Sequence, residues 1–148
     1  VDGVLLVDMP PAESEPLHSL LQQNEIDTIY LVAPTTTSLR RAQIIQRCSG
    51  YLYYVSLKGV TGAALLDSDE VTRSLNELRQ HCDLPIVVGF GIKDGPSARR
   101  LAASADGVVV GSVLVASIGK LSDSDQRDYG QTCRLIGEIR QALDSRAP

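Results

Sequence analysis

The sequence predicts an α/β fold with a parallel sheet, because strand-length and helix-length segments alternate along it. Five apolar runs rich in Val and Ile are each followed by a polar or amphipathic stretch. The runs are almost continuously apolar, as expected for parallel strands that are covered on both faces. The 148 residues are 43% hydrophobic and carry a net charge of −4, which excludes a disordered chain and gives no basic patch for nucleic acid. We therefore expect a single domain over residues 1–148.

The first two units each begin with a short apolar run. Residues 4–7 form the first predicted strand, and Pro11 suits the first turn of a helix over 12–24. Residues 29–33 form the second strand, and three threonines after Pro34 can cap a helix over 38–48.

The remaining units follow the same order. A strand over 51–55 leads to a helix that ends near Cys82, for which Asp67 and Glu70 are a plausible capping pair. A strand over 86–91 precedes Asp94, a candidate N-cap, and a helix to about Ala103. The last strand covers 108–110, and it is followed by a short apolar segment to Ile118 and a helix over 125–143.

Three successive strands end in glycine-bearing loops, at residues 59–62, 89–91 and 111–112. Glycine lets backbone N–H groups approach a ligand, and phosphate oxygens accept from such groups. Gly111 and Ser112 also open a short helix, whose N-terminus favours an anion. Because ligands bind at the carboxyl ends of parallel strands, we predict a phosphate site here, with ordinary turn chemistry as the alternative.

Other polar side chains allow two interpretations each. Asp8 ends the first strand, either as a catalytic carboxylate or as a helix cap, and Tyr53 either faces a ligand or packs in the core. Thr61 lies between two loop glycines, where its hydroxyl would face a ligand. His18 and His81 are expected on helix surfaces. Three widely spaced cysteines, with neither a signal peptide nor metal-ligand spacing, favour a reducing, cytoplasmic location and no metal.

Five stretches resemble one family, the alpha subunit of tryptophan synthase. The most specific is a tyrosine strand followed by Gly-Val-Thr-Gly. The stretches are VDGVLLVDMP (1–10), YLVAPTT (30–36), GYLYYVSLKGVTGA (50–63), LPIVVGFGI (84–92) and ADGVVVGSVLV (105–115). The resemblance implies a partial (β/α)₈ TIM barrel in which these five C-terminal βα units are strands four to eight. The chain is accordingly expected to be truncated at its N-terminus.

The resemblance also implies an activity, since the family cleaves indole-3-glycerol phosphate to indole and glyceraldehyde 3-phosphate in tryptophan biosynthesis. It further implies a partner, the beta subunit, in an alpha2–beta2 complex. Pyridoxal phosphate is expected only in that partner, so no cofactor is expected in this chain. The catalytic pair of the family, a glutamate and an aspartate, belongs to a region before Val1, and no carboxylate in this chain carries the matching motif.

Site residues follow from the resemblance position by position. It assigns phosphate binding to Gly62, Gly91, Gly111 and Ser112. It assigns substrate binding to Leu31, Tyr53, Thr61, Phe90 and Val109, with Asp8 as an accessory residue. Two alternatives stay open: a non-catalytic module that binds phosphate or a partner, and another phosphate-binding barrel such as an epimerase or thiamin-phosphate synthase.

Overall fold

A computed structural model of the chain describes residues 1–56, 68–89, 91–120 and 129–145. Within these ranges five parallel strands form one sheet in the order β1-β2-β3-β4-β5. The strands are β1 (Gly3–Leu6), β2 (Asp27–Val32), β3 (Leu52–Val55), β4 (Ile86–Gly89) and β5 (Gly107–Val109). The predicted parallel α/β fold is thus confirmed, and all the strands end at the same edge of the sheet.

Helices follow the strands in sequence, with two of them after β5. They are α1 (Glu15–Gln23), α2 (Ser38–Arg47), α3 (Ser68–Arg79), α4 (Gly95–Ala102), α5 (Ser112–Gly119) and α6 (Gly130–Asp144). In the described ranges, no helix is long and apolar enough to cross a lipid bilayer.

The main core lies between the sheet and helices α1 to α4. Alternate strand residues such as Tyr30, Tyr54 and Val88 are buried there against Leu75 and Leu78 of α3. A second cluster joins α4 to α6 through Ala98 and Ile139. Because successive side chains of a strand point to opposite faces, each strand gives only every second residue to this core.

The other face of the sheet carries a row of half-buried apolar side chains. They belong to neither buried cluster, and they are Leu5, Leu31, Val55, Val87 and Val109. Tyr53 lies in the same row, since it is in register with Leu31 on one side and Val87 on the other. This face becomes the inner wall when such a sheet curves into a barrel.

Several predicted boundaries differ from those in the structure. The helix predicted from residue 12 begins at Glu15, with Ser14 at its N-cap and Pro16 in its first turn. The helix predicted to end near Cys82 ends at Arg79. Asp94 caps α4 as predicted. Asp67 and the start of the helix predicted from residue 125 fall outside the described residues.

Candidate functional site

The candidate site lies where β3, β4 and β5 end side by side. Val55, Gly89 and Val109 are at one level of the sheet, because Gly89 is in register with both of the others. The segments that follow β4 and β5 turn into α4 and α5 at this edge. The carboxyl ends of parallel strands are where ligands bind in such folds.

A cavity of about 560 Å³ opens at this edge. Its walls contain five of the residues singled out in the sequence and three others. The five are Tyr53, Gly91, Val109, Gly111 and Ser112, and the others are Ile92, Lys93 and Val113. The volume is within the range of small-molecule sites. The structure therefore collects these five positions in one place, and their binding roles stay predictions.

One end of the cavity is formed by exposed backbone. Gly91 has a φ of +77°, a conformation that residues with a side chain rarely adopt. Gly111 is the N-cap of α5, and a Cβ placed on it would meet no atom within 4 Å. Leu114 and Val115 both donate to the carbonyl of Gly111. Ser112 and Val113 belong to the first turn of α5, where backbone amides have no intrahelical acceptor and can bind an anion.

The other end of the cavity is apolar and is dominated by Tyr53. This residue is only 7% exposed, and its ring lies across the backbone of Gly89, where an added Cβ would come within 1.8 Å of its hydroxyl oxygen. Burial raises the pKa of the Tyr53 hydroxyl above its usual value, and the nearby Tyr51 raises it further. This shift favours the neutral phenol, and Tyr53 lines the cavity together with Val109.

Two predicted residues lie apart from this cavity. Leu31 is beside Tyr53 on the same face of the sheet, but it does not line the cavity. Asp8 is exposed in the turn after β1 and is likewise not part of the cavity lining. Its interpretation as a helix cap is wrong, because Ser14 is the N-cap of α1. Thr61, Gly62 and Phe90 fall outside the described residues.

Sequence reasoning missed Ile92, Lys93 and Val113, which also line the cavity. That reasoning selected glycines and polar residues of the loops, whereas these three residues come immediately after the selected positions. Lys93 had a usable signal, since it is a cation two residues after a strand-end glycine. Ile92 and Val113 have no such signal, because an apolar residue between a strand and a helix, or in the first turn of a helix, is expected for packing alone.

A second, polar cavity of about 470 Å³ lies at the opposite edge, where β2 begins. His18, Asp27, Arg47 and Cys48 are among its lining residues, and His18 Nδ1 is 3.3 Å from the hydroxyl of Thr28. Burial raises the pKa of the Cys48 thiol to about 11, which keeps it protonated. In the described part of the chain, no three His, Cys, Asp or Glu side chains are grouped to hold a metal.

The fold and this edge define a class: a parallel α/β sheet whose strand ends form a cavity lined by both loop glycines and apolar side chains. The family model for the tryptophan synthase alpha chain matches residues 1–144. The chain belongs to the tryptophan synthase alpha chain family.

Individual relatives agree with the family match. The alpha chain of Chromobacterium violaceum is 50% identical over 143 residues, which are 97% of this chain and 54% of that protein. The crystal structure of the alpha subunit from Legionella pneumophila superposes with a TM-score of 0.84 at 34% identity, over 99% of this chain and 53% of that one. Tryptophan synthase from Mycobacterium tuberculosis gives a TM-score of 0.81 at 29% identity, over 95% and 51%. This chain thus spans about half the length of the relatives it matches, and its fold is part of a TIM barrel.

Proposed function

We propose that this chain supplies the phosphate-binding end and part of the indole pocket of an enzyme that cleaves indole-3-glycerol phosphate. The observation that carries the proposal is the cavity that brings Gly91, Gly111 and Ser112 together with Tyr53 and Val109. A substrate with an anionic end and a flat apolar end needs both kinds of surface in one site. The described lining of the cavity contains both kinds of group, which supports the proposal.

The phosphate end rests on backbone donors. The amides at the start of α5 are fixed by the helix, so an anion is bound with little reorganisation of the chain. Ser112 adds a hydroxyl at the same position. Because these groups are held by local structure, we expect a weak affinity for glycerol 3-phosphate even without the rest of a substrate.

The chemistry of the proposed reaction needs two proton-transfer groups. One must protonate the indole ring, and the other must remove a proton from the glycerol hydroxyl, with each positioned group contributing about 10²–10⁴-fold. The described lining of the cavity contains no Asp or Glu. We infer that this chain binds substrate but does not cleave it by itself.

The proposal also includes a partner subunit and a cellular compartment. A beta subunit that carries pyridoxal phosphate would accept the released indole, and this chain itself would need no cofactor. A reducing, cytoplasmic setting is supported by Cys48, Cys82 and Cys133, which are all free thiols.

Calorimetric titration with glycerol 3-phosphate tests the binding site. Gly111→Val should abolish binding, because the new side chain occupies the open space that the anion needs. Gly119→Val is the matched control: it also has no atom within 4 Å of an added Cβ, but it lies at the other end of α5. Binding that survives Gly111→Val would place the phosphate site elsewhere.

Indole release from indole-3-glycerol phosphate tests the inference that this chain binds the substrate without cleaving it. The 148-residue chain alone should release none. Addition of the part of the Chromobacterium violaceum relative that this chain does not match should produce activity if the two complete a barrel. Indole release by the chain alone, lost in Asp8→Asn, would show that the chemistry is within this chain.

A further inference from the structure

Eight described residues line the cavity at the ends of β3 to β5, which we call the strand-end cavity, and Lys93 is the charged one among them. The others are apolar, aromatic, glycine or serine, so the cavity receives no other formal charge from its described walls. The chain as a whole carries a net charge of −4, which disfavours the approach of an anion. Lys93 therefore gives the described wall of this cavity a positive charge that attracts an anion.

The backbone of Lys93 is held in place at the start of α4. Its amide donates to the hydroxyl of Ser97 at 3.1 Å, and the preceding Ile92 is buried in the cluster beneath α4 and α6. The side chain therefore leaves from a fixed point two residues after Gly91. A lysine stem of four methylene groups lets the ammonium reach an anion across a cavity of this size.

The neighbouring carboxylate is already engaged. Asp94 accepts from the amide of Ser97 at 2.8 Å, and hydrogen bonds with the Ser97 side chain and then with this amide hold the pKa of Asp94 below its ordinary value. The ion pairs found among the described residues use arginines: Arg41, Arg47, Arg79 and Arg140. The side chain of Lys93 is exposed and belongs to none of these four ion pairs; its charge lowers the pKa of Asp94 only as a lesser cause, after the hydrogen bonds with Ser97.

We propose that Lys93 binds the phosphate of the substrate directly and gives the site its preference for a doubly charged phosphate ester over a neutral ligand. The inference rests on the proposed function, since it assigns a residue to the same site. Backbone amides supply neutral donors, whereas an ammonium makes a charge-assisted hydrogen bond that is roughly twice as strong. A phosphate ester carries a charge of about −1.5 to −2 at pH 7, so it gains most from this contact.

The test is titration of the 148-residue chain with glycerol 3-phosphate, at low salt and at about 0.2 M salt. Lys93→Met keeps the length of the side chain but removes the charge, and it should weaken binding about tenfold and remove most of the salt dependence. Lys93→Arg keeps the charge and should bind within about threefold of the unmodified chain. Lys120→Met is the control, because Lys120 is exposed at the far end of α5.

The possible results distinguish the role of Lys93 from the phosphate site of the proposed function. If the unmodified chain binds and Gly111→Val abolishes binding, but Lys93→Met binds as tightly with the same salt dependence, Lys93 has no role and the phosphate site stands. If the unmodified chain does not bind glycerol 3-phosphate at all, the proposed function itself is contradicted. Circular dichroism of Lys93→Met should match the unmodified chain, since the exposed side chain belongs to neither buried cluster.

Discussion

Tyr53 and Gly89 show how a single glycine can shape the candidate site. The Tyr53 ring crosses β4 where Gly89 has no side chain, and this close approach lets the ring form the apolar end of the cavity. Gly89 is also buried, so a larger residue has no solvent to move into. The packing of the Tyr53 ring therefore requires the absence of a side chain at Gly89. This requirement is independent of any role of the following loop in phosphate binding.

Gly89→Ala is expected to destabilise the chain by about 1–3 kcal/mol, because the new methyl group would overlap the ring and hydroxyl of Tyr53. Urea unfolding measures the change. Gly107→Ala on the adjacent strand is the control, since its Cβ would meet Val87 methyl groups at 3.5 and 3.8 Å, which is ordinary contact. Equal unfolding midpoints for the two variants would contradict this account of the Tyr53 packing.

At the scale of elements, helix α4 has the most complete N-terminus in the described part of the chain. The Asp94 carboxylate accepts from the Ser97 amide, and the Ser97 hydroxyl accepts from the Asp94 amide at 3.1 Å. This reciprocal arrangement is a capping box, and it directly follows Lys93, which lines the cavity. The stability of α4 and the geometry of the site therefore depend on the same residues.

Asp94→Ala should lower the melting temperature near pH 7, and the difference from the unmodified chain should shrink in acid. Hydrogen bonds from Ser97 lower the pKa of Asp94, so its carboxylate stabilises the fold above the ordinary value of 3.8 and loses that effect as the pH falls through the lowered value. Asp94→Asn, which keeps a capping oxygen, should stay close to the unmodified chain near neutral pH. A difference that is independent of pH would show that the charge has no part in capping.

The elements differ in how far the sequence could predict them. The order and type of all five strands follow from their apolar runs, and Asp94 was identifiable as a cap because it precedes a helical pattern directly. The start of α1 was missed because Pro11 is a credible first-turn residue, although Ser14 and Pro16 give a better pair of signals three residues later. Likewise, the gathering of Lys93, Ile92 and Val113 around the cavity depends on the register of β3 to β5, which no local pattern specifies.

At the scale of the molecule, the sheet is open at both ends within the described residues. β1 and β5 each pair with one neighbour, and the row from Leu5 to Val109 is half-buried on the face that is away from the main core. Unpaired strand edges beside apolar surface favour association with another chain. In a complete barrel, further strands would pair with these edges and cover this apolar surface.

We expect the 148-residue chain in isolation to be poorly soluble or to self-associate, with a light-scattering mass that rises with concentration. Leu5→Lys places a charge on the edge strand β1 and should reduce association. Leu20→Lys is the control, because Leu20 is 55% exposed on α1 and is not part of a strand edge. A monomer at every concentration, with a sharp cooperative melt, would show that the open edges are not association surfaces.

Phosphate binding by the cavity at the ends of β3 to β5 is the feature on which the proposed function depends. The most direct measurement is a titration of the ¹⁵N-labelled chain with glycerol 3-phosphate, followed through its backbone amide resonances. We expect shifts concentrated at Gly91, Gly111 and Ser112, with none at Thr28 and Ser49, which line the polar cavity at the opposite edge. Shifts centred on Thr28 and Ser49, or no shift at the glycine end of the strand-end cavity, would contradict it.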